Sequence, residues 1–95
     1  MTPPDQERAQ RIAGELTELE RRILSCMSDG ECVYPMRDTA SDAGVPYGTT
    51  RKILRTFHKE GIANFGTLHN LIGNGRRVGS GYWRTPFGEQ VLKHL

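Results

Sequence analysis

No run in this 95-residue sequence is apolar for long enough to cross a membrane, and no internal repeat or low-complexity tract divides it. The opening MTPPDQERAQ carries charges and prolines but no apolar stretch, which argues against a signal peptide and for a cytoplasmic location. Cysteine is scarce. Cys26 and Cys32 lack the short spacing and the second pair that a zinc knuckle needs, so two reduced, partly buried thiols are expected. His58, His69 and His94 do not complete a ligand set with them. The GxGxxG and Walker patterns are absent, and the glycines gather at turns instead. No Ser/His/Asp arrangement can be assembled. The expectation is a chain with no catalytic residue, no metal and no cofactor. Its length allows one compact core.

The net charge of +2 hides a lopsided distribution. Residues 1–30 carry a net −2 and residues 31–50 another −2, whereas residues 51–95 carry +6. One surface, built from the second half of the chain, is therefore expected to meet a polyanion. The acidic first half is expected to face solvent or another subunit.

The densest pattern runs from Asp38 to Ile62, DTASDAGVPYGTTRKILRTFHKEGI. Asp38 to Ala43 is a short helix candidate. Gly44-Val45 then gives a tight turn, since glycine takes positive φ without a Cβ penalty. A second helix is expected from about Pro46 to Lys59, within a segment spanning 46–60. Two helices joined by a short glycine-containing turn make a helix-turn-helix. Ala40 is small enough for a close crossing, and Val45 can fill the corner. Ile53, Leu54 and Phe57 share one side of the second helix. Lys52, Arg55 and Lys59 lie opposite, with Gly48 at the exposed start and Arg51 on the flank. Tyr47, Thr49 and Thr50 occupy the first turn.

Around this centre the other elements follow in order. Thr2-Pro3-Pro4-Asp5 suits a helix start, with a cap, prolines in the first turn and an early acid. Ile12, Leu16, Leu19, Ile23 and Met27 form an amphipathic stripe. Thr17-Glu18-Leu19-Glu20 matches a capping box, so one long helix containing Gly14 or two helices split near it both fit. Ser28-Asp29-Gly30 closes this region. Glu31 to Tyr34 is a short strand candidate that Pro35 ends. Ile62 to Leu68 and Val78 to Arg84 are strand candidates flanking the turn cluster Gly73-Asn74-Gly75-Arg76-Arg77. Thr85-Pro86 opens a closing helix that runs to Leu95. Of Tyr82 and Trp83, one is expected on the core and the other over the hairpin or against a partner.

The 38–62 pattern resembles helix-turn-helix regulators: a small residue, a Gly-Val turn, Thr-x-x-Arg/Lys-x-Leu, then Glu-Gly-Ile. LTELERRIL resembles the opening helix of winged-helix regulators. GYWRTPFGEQVL resembles the wing exit of the multiple-antibiotic-resistance-regulator type. The resemblance covers about residues 17–95. It implies a mainly α fold with a small β-hairpin wing, a winged helix-turn-helix, with residues 1–16 as an N-terminal helical extension. Arg84 stands where that pattern usually has an aliphatic residue. Thr39 and Thr50 replace expected apolar residues, and Pro46 replaces the usual Ser cap. That type's long C-terminal dimerisation helix has no counterpart in the sequence.

On this reading the partner is double-stranded DNA. A recognition helix places its N-terminal residues nearest the bases, and guanidinium forks suit guanine edges. Base readout falls to Tyr47, Arg51 and Arg55, with Thr50 beside them. Thr49, Lys52 and Lys59 anchor phosphates. Arg76 and Arg77 in the wing, residues 73–78, meet the backbone or the minor groove. A homodimer through the apolar stripe of the N-terminal helix would match paired half-sites. Two alternatives stand beside this reading: a winged-helix protein-interaction module in a larger assembly, and an effector sensor. The basic face discriminates against the first, since an interaction module has no need of Arg51, Lys52, Arg55 and Lys59 together, while a merely solvated basic face is the plain alternative to DNA binding.

Overall fold

The computed structural model describes the backbone over residues 3–29, 34–70 and 76–95, and the side chains over 5–29, 35–66 and 81–95. The elements follow the order α1 (Pro3–Glu15), α2 (Glu18–Cys26), β1 (Tyr34–Pro35), α3 (Met36–Ala43), α4 (Tyr47–Lys59), β2 (Ala63–Asn70), β3 (Arg76–Arg84) and α5 (Pro86–Lys93). No helix among the described residues is long and apolar enough to cross a membrane.

The N-terminal stripe is split between two helices, and the break falls at the capping box. The Thr17 hydroxyl accepts from the Glu20 N–H at 3.2 Å, and the Glu20 carboxylate accepts from the Thr17 N–H at 2.9 Å. Two orphan donors are thereby satisfied and α2 starts afresh. Gly14 lies inside α1 instead of at the break.

Helix α1 packs along α5. Ala9 and Ala13 on its inner face are completely or almost completely buried. Arg8 extends the attachment: its guanidinium donates to the Glu60 carbonyl at 2.9 Å and lies 4.7 Å over the Phe87 ring. The apolar stripe expected as a dimer contact is largely consumed in this packing. Leu16, Ile23 and Met27 are buried within the chain's own core and Ile12 packs against it, leaving Leu19 as the exposed member. The physical reason is simple. A chain this small has one core, and every strongly apolar face is drawn into it.

Helices α3 and α4 meet at Gly44, which has φ 67° and ψ 35°. The Val45 N–H reaches the Ala40 carbonyl at 3.0 Å, and the Gly44 N–H reaches that of Ser41 at 3.2 Å. This is a Schellman closure, and its left-handed residue is glycine because a Cβ there would be strained. Val45 is buried in the corner, and Ala40 is buried where the helices approach.

The sheet has strand order β1-β3-β2, antiparallel throughout. Sequence reading expected the first strand at Glu31 to Tyr34. It is found at Tyr34–Pro35, and residues 31–33 lie outside the described residues. Pro35 is tolerated in the ladder because β1 is an edge strand, where a missing N–H costs no central hydrogen bond. Strands β2 and β3 form the hairpin, with Phe65 opposite Tyr82, Asn64 opposite Trp83 and a register shift between Leu68 and His69. Tyr82 is the aromatic turned to the core, at 7% exposure, edge-on to Phe65 with centroids 5.0 Å apart. The hairpin runs directly into α5 through Thr85. Gly88 lies so close to β2's start that a Cβ would fall 2.2 Å from the Ile62 carbonyl oxygen.

Candidate nucleic-acid interface

Helix α4 is held from beneath by Leu54 and Phe57, both fully buried. Burying two such side chains contributes about 1.5–3 kcal/mol each. Its start is unusual. Pro46 is the N-cap, with φ fixed near −55°, and no side chain caps the first turn. The first turn also contains no acid, while His58 and Lys59 close the last turn. The positive end of the helix dipole is thus left uncompensated by carboxylate, a setting that favours an external anion.

The outer face follows the helical repeat. Gly48, Lys52, Arg55 and Lys59 stand at successive four- and three-residue steps, and all are exposed. Arg51 is exposed on the flank, and Tyr47 is 44% exposed at the start. Among the described residues, none of Arg51, Lys52, Arg55 and Lys59 makes a side-chain ion pair or hydrogen bond. Four cations therefore face outward together, with no carboxylate among the described residues paired to them. Thr49 is half-buried at the edge of this surface.

Thr50 is a correction. The sequence places it beside the base-reading residues, but it is fully buried, and its hydroxyl has no hydrogen-bond partner among the described residues. The reason is spacing: residues 50, 54 and 57 share one helix face, so Thr50 lies in line with Leu54 and Phe57. The same count along the sequence would have placed it there. Thr39 is likewise buried, and its hydroxyl approaches the Pro35 carbonyl at 3.5 Å.

The wing arginines are placed through the backbone alone. Arg76 and Arg77 open β3, paired in register with Asn70 and His69. Residues 73–75 of the expected wing segment lie outside the described residues.

Sequence reasoning marked Arg84 only as a departure from a pattern. In the structure its side chain is 10% exposed and bonded on three sides. Nε donates to Glu89 Oε1 at 2.6 Å, and Nη1 donates to the Leu24 carbonyl at 2.7 Å and to the Met27 carbonyl. The last turn of α2 has no basic residue of its own. Arg84 supplies the missing positive charge at that helix end from a distant part of the chain. That deficit was the readable signal, although nothing local says which arginine fills it.

Among the described residues no group of three His, Cys, Asp or Glu side chains could hold a metal ion.

Neither a protein-family model nor a curated protein sequence matches the chain. Solved structures do. A MarR family transcription regulator superposes with a TM-score of 0.66 at 21% identity, over 94% of this chain and 54% of that one. The PcaV transcriptional regulator from Streptomyces coelicolor, solved with its natural ligand, gives 0.64 at 20% identity, over 85% of this chain and 53% of that one. Bordetella bronchiseptica BpsR, whose DNA binding is regulated by 6-hydroxynicotinic acid, gives 0.62 at 15% identity, over 95% of this chain and 68% of that one. The fold is the winged helix-turn-helix. The chain spans about half the length of the first two of these structures.

Proposed function

We propose that this protein is a sequence-specific double-stranded DNA-binding protein that acts as a transcriptional regulator. The observation that carries the reading is the outer face of α4, where Arg51, Lys52, Arg55 and Lys59 stand exposed and, among the described residues, unpaired beside a helix start with no side-chain cap and no carboxylate. An interaction module has no need of four unneutralised cations on one helix face. The fold shared with transcription regulators supports the same reading.

In the mechanism, α4 enters the major groove by its N-terminal turns. Arg51 and Arg55 read base edges, with Tyr47 beside them. Gly48, lacking a side chain, lets the backbone approach the duplex. Thr49, Lys52 and Lys59 bind phosphates and fix the register. Arg76 and Arg77 extend the contact to the backbone or the minor groove through the wing. A cytoplasmic location goes with this role.

The working unit is a homodimer with its contact on α1, so that two copies of α4 address half-sites one turn apart. With the apolar stripe consumed internally, the available surface is polar. Gln6, Glu7 and Gln10 of α1 lie beside Gln90, Lys93 and His94 of α5. Glu7 of one copy and Lys93 of another are complementary across such a contact. A monomeric sedimentation profile at micromolar concentration would remove the dimer.

The deciding experiment is selection from a randomised duplex library, followed by affinity measurements across a salt series. An enriched, roughly palindromic motif with a log-log salt slope of several units establishes a specific dimeric regulator. Salt-sensitive binding without enrichment would reduce the role to non-specific DNA coating. No binding at low salt would overturn the reading in favour of protein partners.

A further inference from the structure

The wing leaves the body of the protein at two roots, and both are tied down. The root of β2 follows α4 through Ile62, whose carbonyl accepts from the Thr85 N–H at 3.0 Å. The Thr85 hydroxyl donates to the Gly61 carbonyl at 2.5 Å and accepts from the Gly88 N–H at 3.0 Å. The root of β3 is Arg84 itself. Its N–H donates to the Ser28 carbonyl at 2.9 Å, next to the bridge between Ser28 and Trp83. Its guanidinium holds two carbonyls at the end of α2 and the Glu89 carboxylate of α5.

We infer that Arg84 is a positioning residue that sets the angle of the wing against α4, and with it the wing's share of duplex binding. The inference rests on the DNA-binding reading for its functional half. Among the described side chains Arg84 bonds to none of the proposed DNA contacts, and it acts through β3. The geometry makes such a lever effective. Seven residue steps along the strand lead from Arg84 to Arg77, a length of about 23 Å at the usual rise per residue. A tilt of about 10° at the root would move Arg77 by about 4 Å, more than the length of a hydrogen bond. A guanidinium with several fixed acceptors in a largely buried site has one orientation, whereas an aliphatic side chain would fill the space without fixing an angle. Glu89 carries the same tie into α5, which packs on α1. The wing is therefore referenced to the body of the fold and not to α4 alone.

Trp83 is the chain's one tryptophan and the neighbour of Arg84, so it reports the root directly. The test uses the full chain with Arg84→Leu, Arg84→Lys and Glu89→Gln. In Arg84→Leu, Trp83 emission shifts to the red and acrylamide quenching rises while far-UV helicity holds. Glu89→Gln, at a residue whose side chain is one-third exposed, folds and shows the same change in smaller degree. Arg84→Lys, which keeps the charge but not the fork, falls between parent and Arg84→Leu.

On the selected duplex, Arg84→Leu lowers affinity by about three- to tenfold, as does the double substitution Arg76→Ala/Arg77→Ala. Combining the two falls short of the product of their effects by about threefold or more, whereas combining Arg84→Leu with Arg55→Ala multiplies fully. Full multiplication with the wing pair, or an unchanged affinity in Arg84→Leu, overturns the positioning role. If the parent binds no duplex, the function reading fails by itself, and Trp83 still decides whether Arg84 sets the root. Parent-like Trp83 signals in both Arg84→Leu and Glu89→Gln would then overturn that as well.

Discussion

Arg51 and Arg55 on α4 and Arg84 at the wing root carry the same guanidinium in opposite surroundings. The first two are exposed, with no side-chain partner among the described residues. The third is 10% exposed and gathers a carboxylate and two helix-end carbonyls. Arg8 belongs with Arg84, since it reaches the Glu60 carbonyl at the end of α4. An arginine whose fork is already occupied at helix ends builds the fold. One whose fork is held out in water is available to phosphate and base edges. Counting basic residues in the second half of the chain misses this difference, because Arg84 contributes to the +6 but not to the outward face.

The sharpest way to test the division is to separate stability from binding on α4 itself. Phe57 is fully buried on the inner side. Phe57→Ala is expected to cost about 3–5 kcal/mol of stability through lost burial and the cavity left behind. In so small a domain that is a large part of the total, and chemical denaturation should show a collapse of the midpoint. A loss below about 1 kcal/mol would mean that α4 is not seated as described.

Arg55→Ala is the outer counterpart. It should leave the thermal midpoint within about 2 °C, since an exposed unpaired arginine contributes little to folding. Its effect falls on DNA: a loss of about 1–3 kcal/mol on the selected duplex and relaxed preference at one base position. Lys59→Ala should weaken selected and random duplexes alike and lower the salt slope by about 1. Equal losses on selected and random duplex for Arg55→Ala would strip it of a reading role.

How much of this could be read beforehand depends on the range of the interaction concerned. The Gly44 turn, the capping box at Thr17 and the Thr85-Pro86 start of α5 are local, and each was visible in a few residues. The order of elements followed from them. Thr50 runs against the expectation that a hydroxyl in a first turn faces outward, although its spacing to Leu54 and Phe57 fixes its face. The fate of α1 could not be read, because Ala9 and Ala13 bury against α5, which lies at the far end of the chain. Arg84 was opaque for the same reason. Two of its three acceptors are backbone carbonyls about 60 positions away, and a carbonyl carries no sequence signature.

Thr50→Val sharpens the correction. The hydroxyl is buried without a partner, so an isosteric methyl should raise stability by about 1 kcal/mol. Duplex affinity and preference should stay at the parent's values. A change in base preference would return Thr50 to the readout surface and contradict its burial.

The smallest effect is the most discriminating, because its two parts have opposite signs. Gly48 is exposed in the first turn of α4, and a Cβ there would meet nothing within 4 Å. Gly48→Ala should therefore stabilise the free protein by up to about 0.5–1 kcal/mol through reduced backbone entropy. If α4 meets the duplex by this turn, the same methyl occupies space the DNA backbone needs, and affinity should fall as stability rises. Gly14→Ala in α1, equally open, provides the control: a similar gain in stability with binding unchanged. A Gly48→Ala variant that is more stable and binds DNA as tightly as the parent would move the contact away from the N-terminal turn, towards Arg55 and Lys59.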